Sequence, residues 1–366
     1  MLKRLGFLIL CGFAIFNLVL SVRLIKDGLN EQSDFSAFYT GWRIVREGEG
    51  PHLYDLDTQK RFTESRAEFL AYLNPPHLTL PFVPLGWFSR INASRIWITL
   101  NFVILAWCVR LLWALAKDWN RMDRGLMLAA FLGSPFLLSS LVNGAFTILV
   151  LLCLLQWHGS NNGAWLALAT VKPQIAAGPT VISAWRPIIV MATVLLVLIV
   201  LSTFVLGTNI WVEYITLLRS VSGSSDIGVH AERMWNVRGW LVRSGLSTAI
   251  VMPLFGLSVI GCWLLSRVIQ SRKVLIALAV TLVMLTSPHT HFQDALILVL
   301  PAVALYEHSR NAIVAVVAIG AVILGNVLLF IGVGGLWSIP TLLALTLAAV
   351  SFKYLSGPTL ASAQTS

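Results

Sequence analysis

The side chains able to do chemistry are few, and they interrupt apolar sequence at wide intervals. Asp34 comes a few positions after the first apolar run and opens DFSAFYTGW. An acid there has three readings: solvated loop, cap of a helix starting at Ser33-Asp34, or a general base held close to a membrane. Asp55-Leu56-Asp57 spells DxD, which in sugar transfer can hold a metal–diphosphate pair; Asp57-Thr58 is equally placed to start a helix. Lys172, in VKPQ, breaks an apolar run. That costs roughly 2.5–3.5 kcal/mol unless the ammonium meets a polar cavity or snorkels to the surface. Pro173 and Gln174 beside it favour a turn, where a lipid phosphate would offset the cost. His289, His291 and Asp294 lie together in SPHTHFQD. Two imidazoles without further ligands nearby fit phosphate binding or proton transfer better than a metal, and interfacial histidines are the plain alternative. Arg219, Arg233, Arg238 and Arg243 accompany Trp235 and Trp240, a mixture that suits a sugar, a lipid headgroup or any membrane interface. No phosphate-binding glycine loop, nucleophile elbow or zinc spacing occurs.

The elements that must position these residues are membrane helices. Of 366 residues, 57% are hydrophobic and 11% charged, against about 25% charged in soluble domains. Runs of about 15–22 apolar residues match the ~20 needed to cross a hydrocarbon core. They are continuous, without the alternation of a barrel. The net charge of +10 comes from Lys and Arg scattered between apolar runs, which is loop anchoring and not a nucleic-acid stripe. Cys11, Cys108, Cys153 and Cys262 lie inside apolar runs and read as small hydrophobes.

The expected organisation is one integral membrane domain, residues 1–366. Lys3 and Arg4 hold the N-terminus inside, so residues 5–25 form a retained first span. An outer loop, 26–93, then carries nine acids, including Glu31, Glu64 and Glu68, with apolar stripes over 35–47 and 57–72 that suggest interfacial helices. Residues 74–88 contain four prolines and are expected to re-enter rather than span. Later spans are expected near 94–116, 125–140 and 145–157, two half-helices over 163–185 meeting at Lys172-Pro173, then 187–206. After a second outer loop, 208–247, come 248–266, a span ending at 287–294, its return, 312–331 and 338–355. The total is about twelve. Asp34, Asn74, His77, Asn143, Lys172, Gln174, Trp235, Asn236, His289, His291 and Asp294 then all fall on the outer side.

In order along the chain, DFSAFYTGWRIVREGEGPHLYD, NPPHLTLPFVPL, SPFLLSSLVNGAFTILVLL, LALATVKPQIA and SPHTHFQDALILVLP resemble the successive signatures of glycosyltransferase family 87. The resemblance covers about residues 33–305. It implies a GT-C fold and an inverting, metal-independent transferase, mannosyltransferase-like, that takes a sugar from a polyprenyl-phosphate donor at the outer face of a bacterial inner membrane. The acceptor would be a lipid or glycan, and no cofactor is implied. By the same resemblance Asp34 would be the general base, Lys172 with His289 or His291 would bind the donor phosphate, and Tyr39, Tyr54, Asn74 and His77 would shape the acceptor side. Asn143, Gln174, Trp235, Asn236 and Asp294 are further sugar or acceptor candidates. The family often has Gly-Gln where this chain has Asn143-Gly144-Ala145, a departure that bears on which sugar or acceptor is recognised. A secondary transporter or lipid flippase is the competing class, though no matching pair of broken segments marks an inverted repeat.

Overall fold

The computed structural model describes residues 2–28, 33–63, 69–221, 229–310, 312–331 and 338–354. Among them are eighteen α-helices, four 3-10 segments and no strand. Glu31, Glu64 and Glu68 lie outside the described residues.

Helix α1 (Leu2–Gly28) has 27 residues, a length of about 40 Å at 1.5 Å per residue. The loop that follows begins with α2 (Asp34–Arg46), whose apolar stripe was expected to lie along the membrane surface. It is instead buried within the protein: Phe35, Phe38, Tyr39 and Trp42 are all inside, and Trp42 meets Phe82 and Trp97 at 5.5 and 5.7 Å between rings. The close approach requires Gly86, where a Cβ would stand 3.0 Å from the Trp42 carbonyl.

Helix α3 (Leu56–Phe62) is much shorter than the 57–72 stripe suggests, because Thr63 turns to extended backbone. Within it, fully buried Gln59 donates to Leu53 O at 2.8 Å and accepts from Tyr72 N at 2.7 Å. Helix α4 (Pro76–Thr79) and the eight-residue 3-10 segment Leu80–Trp87 are too short to span, as the four prolines require.

Next come α5 (Arg90–Leu115), α6 (Arg121–Leu132), α7 (Pro135–Asn143), α8 (Thr147–Ser160), α9 (Gly163–Ala169), α10 (Pro173–Val181) and α11 (Trp185–Leu206). The α6–α7 pair bends by 41° at Gly133-Ser134. The Gly133 carbonyl is satisfied by Asn17 and Asn326 amides, each at 2.8 Å, as a polar backbone group in an apolar medium demands. The stretch expected as a plain outer loop, 208–247, contains α12 (Ile210–Val221) and α13 (Val237–Arg243). The chain continues with α14 (Val251–Leu265), α15 (Arg272–Thr286), α16 (Val299–Ser309), α17 (Ala312–Ile331) and α18 (Ser338–Lys353).

Among the described residues, α1, α5 and α11 are each long and apolar enough to cross a membrane, and α6–α7 makes a fourth if counted as one bent span. Helices α8, α14, α17 and α18 are shorter and apolar. The expected spans therefore correspond to helices, but length alone does not reach twelve crossings. Outward-facing side chains on α11, such as Phe204 at 89% exposure, suit hydrocarbon and not water. The chain is an all-α polytopic membrane protein.

Candidate active site

The break at Lys172 follows from Pro173. A residue before proline avoids the α region, and Lys172 has φ −122 and ψ 81 between α9 and α10. Its ammonium is thereby freed from either helix. It pairs with Asp294 Oδ1 and donates to Thr147 Oγ1 at 3.3 Å. Asp294 is wholly buried, while Lys172 keeps 15% of its side chain accessible. Asp294 also accepts from Thr147 Oγ1 at 2.7 Å and from His291 N at 3.0 Å. A buried carboxylate this fully occupied is a counter-ion for Lys172.

Asp34 is the first residue of α2, and Ser33 before it makes no side-chain capping bond. The Asp34 carboxylate is directed elsewhere: Oδ2 accepts from Gln293 Nε2 at 3.1 Å. Ser140 Oγ donates to Gln293 O at 3.3 Å, fixing that residue from α7. Gln293 and Asp294 are neighbours in the 3-10 turn Phe292–Leu298. One peptide unit therefore carries both the partner of Asp34 and the partner of Lys172, with consecutive Cα atoms about 3.8 Å apart. Burial pushes the Asp34 carboxyl up to about 6. Nearby Asp294 pushes the same way; Lys172 and the Gln293 amide oppose.

The loop 287–291 is held by its carbonyls. Gln174 Nε2 donates to His289 O at 3.0 Å, Trp235 Nε1 to His291 O at 2.9 Å, Asn236 Nδ2 to Ser287 O at 2.6 Å and Arg238 Nη1 to Pro288 O at 2.6 Å. Gln174, Trp235 and Asn236 thus brace the histidine loop. The two imidazoles meet edge to face at 4.6 Å. Burial drives His291 down to about 4, and burial with the neighbouring imidazole drives His289 down as well. Both rings are neutral near pH 7, offering N–H donors rather than charge.

The sequence matches the model of glycosyltransferase family 87 over residues 72–288, more than half of the chain. The chain belongs to glycosyltransferase family 87. No curated protein and no solved structure matches it. The matched stretch includes Asn74, His77, Asn143, Lys172, Gln174, Trp235 and Asn236; Asp34 and residues 289–294 flank it and join it through the bonds above. This family 87 chain is a membrane glycosyltransferase.

The other candidate residues of the transferase are tied into its scaffold. Tyr39 donates to Phe88 O at 2.8 Å and Tyr54 to Asn74 O at 2.6 Å. Asn143 donates to Ser139 Oγ at 3.2 Å within α7. His77 comes closer to the cluster, since its Nε2 lies 3.2 Å from Thr170 Oγ1, two residues before Lys172, and its ring stacks on Trp211 at 5.8 Å. Asp55 caps α3 by accepting from Thr58 N at 2.7 Å, and Asp57, 92% exposed, pairs with Lys60; both acids serve the helix start. Sequence reasoning passed over Gln293, Thr147 and Ser140. The one available signal was a polar pair, Gln293-Asp294, inside an apolar run, where buried polar groups must find partners.

Proposed function

We propose that this glycosyltransferase moves a mannose-like hexose or a pentose from a polyprenyl monophosphate to a lipid or glycan hydroxyl, with inversion and without metal, in a twelve-span GT-C arrangement. The site faces the periplasm of a bacterial inner membrane. The observation that carries this reading is the placement of Asp34 and Lys172 on either side of the Gln293-Asp294 peptide.

Asp34 accepts the proton of the acceptor hydroxyl as its oxygen attacks the anomeric carbon. The bond from that carbon to the donor phosphate breaks, and its electron pair leaves with the polyprenyl phosphate. Lys172 meets the growing negative charge, since its bonds to Asp294 and Thr147 use two of three N–H donors. His289 or His291 adds a neutral N–H donor. His77 lies on the acceptor side.

Asp34→Asn, assayed with labelled polyprenyl-phosphate sugar in proteoliposomes, is expected to abolish transfer while the protein remains folded; retained turnover removes the base assignment. The α9–α10 break also resembles the discontinuous helices of secondary transporters. Export of sugar or lipid without donor consumption in the same vesicles would favour that reading.

A further inference from the structure

A cavity of about 490 Å³ lies between α1, α6, α16 and α17, within the ~300–1,000 Å³ range of ligand sites. Its walls are apolar, with Leu126, Ala302, Val303 and Ile319 among them, and Lys3, Asp123, Tyr306 and Arg310 stand at one end. Asp123 is already satisfied there. It takes Lys3 Nζ at 2.7 Å, Tyr306 OH at 2.5 Å and Asn120 Nδ2 at 2.7 Å. Arg310 lies 5.3 Å over Trp119 and 5.6 Å over Tyr306, and donates to the neutral carbonyl of Asp118 at 3.1 Å. With Lys3 paired to Asp123, Arg310 leaves this end one positive charge in excess, while the remaining walls are almost wholly apolar.

We propose that this cavity binds one anionic phospholipid, an acyl chain filling the apolar space and the phosphate seated at Lys3 and Arg310. An apolar space beside membrane helices forfeits dispersion contacts when empty, and an acyl chain restores them. Basic residues at a helix end attract anionic headgroups. The phosphate seat is apart from the transfer chemistry, while the acyl space runs as far as Ala295 and Leu296, beside the Gln293-Asp294 turn. Asp294, the partner of Lys172, and Arg310 lie sixteen residues apart along one helical run, the 3-10 turn Phe292–Leu298 and α16, so the two phosphate positions differ by roughly 25 Å.

The test is native mass spectrometry of the delipidated full-length protein, titrated with phosphatidylglycerol and with phosphatidylcholine of the same chains. Wild type is expected to bind one phosphatidylglycerol at least tenfold more tightly than phosphatidylcholine. Lys3→Gln with Arg310→Gln should erase that preference. Gly320→Leu should weaken both lipids, because a Cβ there meets nothing within 4 Å and the larger side chain fills the cavity. Leucine also favours helix over glycine, so α17 is retained. Equal binding of the two lipids to wild type, or undiminished phosphatidylglycerol binding by both variants, overturns the proposal. So does one-for-one displacement by polyprenyl phosphate, which would give the cavity to the donor's chain.

Discussion

Asp34 and Asp55 belong to the same acidic stretch of chain and have opposite fates. Asp55 bonds to a backbone N–H three residues on, which with the Thr58 contacts holds its carboxyl below the usual value. Asp34 makes no cap and bonds to a side chain 259 positions away, and burial raises its carboxyl to about 6. A local bond consumes an acid in building a helix. A distant bond, made through one weak neutral donor, leaves the carboxylate basic enough to take a proton. With Asp34 as the proposed base, what separates it from the structural acid Asp55 is the sequence distance of its partner and the water it loses.

The sharpest way to break that contrast is to neutralise each acid. Asp34→Asn is expected to cost on the order of 10²–10⁴ in turnover, the usual worth of general acid–base catalysis, measured as initial transfer rate. Next in size is Lys172→Met, which strands Asp294 as a buried unpaired charge and should destabilise by about 3–5 kcal/mol, read as a lowered Tm. Adding Asp294→Leu should recover much of that stability but no turnover. If the double variant turns over normally, Lys172 does not meet the phosphate.

The pH profile sharpens the comparison further. Transfer should fall as pH drops through about 6, because Asp34 gains a proton and can no longer accept one. Gln293→Leu removes a donor that favours the ionised form, so this acid limb should move to higher pH; a uniform loss with an unmoved limb would make Gln293 merely structural. The smallest effect belongs to Asp55→Ala, about 1 kcal/mol for a lost cap, with transfer within about twofold of wild type. A large loss of transfer there would revive the metal reading of the DxD pair.

Much of the scaffold was legible because apolar runs and prolines act locally. The Lys172-Pro173 break could be read from two residues, since proline restricts the backbone before it whatever lies elsewhere. The stripe at Phe35, Phe38 and Trp42 was equally visible, but not what covers it, because a membrane surface and a protein core present the same apolar face. Helix α3 was overextended for a similar reason: its end depends on Gln59 joining Leu53 and Tyr72. Within the site, charged Asp34 and Lys172 stood out, while Gln293 and Thr147 matter only through partners that the linear order keeps apart.

The ion pair across that break also constrains how the protein is made. Lys172 precedes Asp294 by 122 residues, roughly 6–24 s of synthesis at ~5–20 residues per second. Helices α9 and α10, with seven and nine residues, are too short for either to cross a ~30 Å core singly. The nascent chain must therefore shelter an unpaired ammonium until the last third of the protein arrives. Biogenesis is expected to hold this segment beside the insertion machinery, and chains truncated before residue 294 should be cleared by membrane proteases.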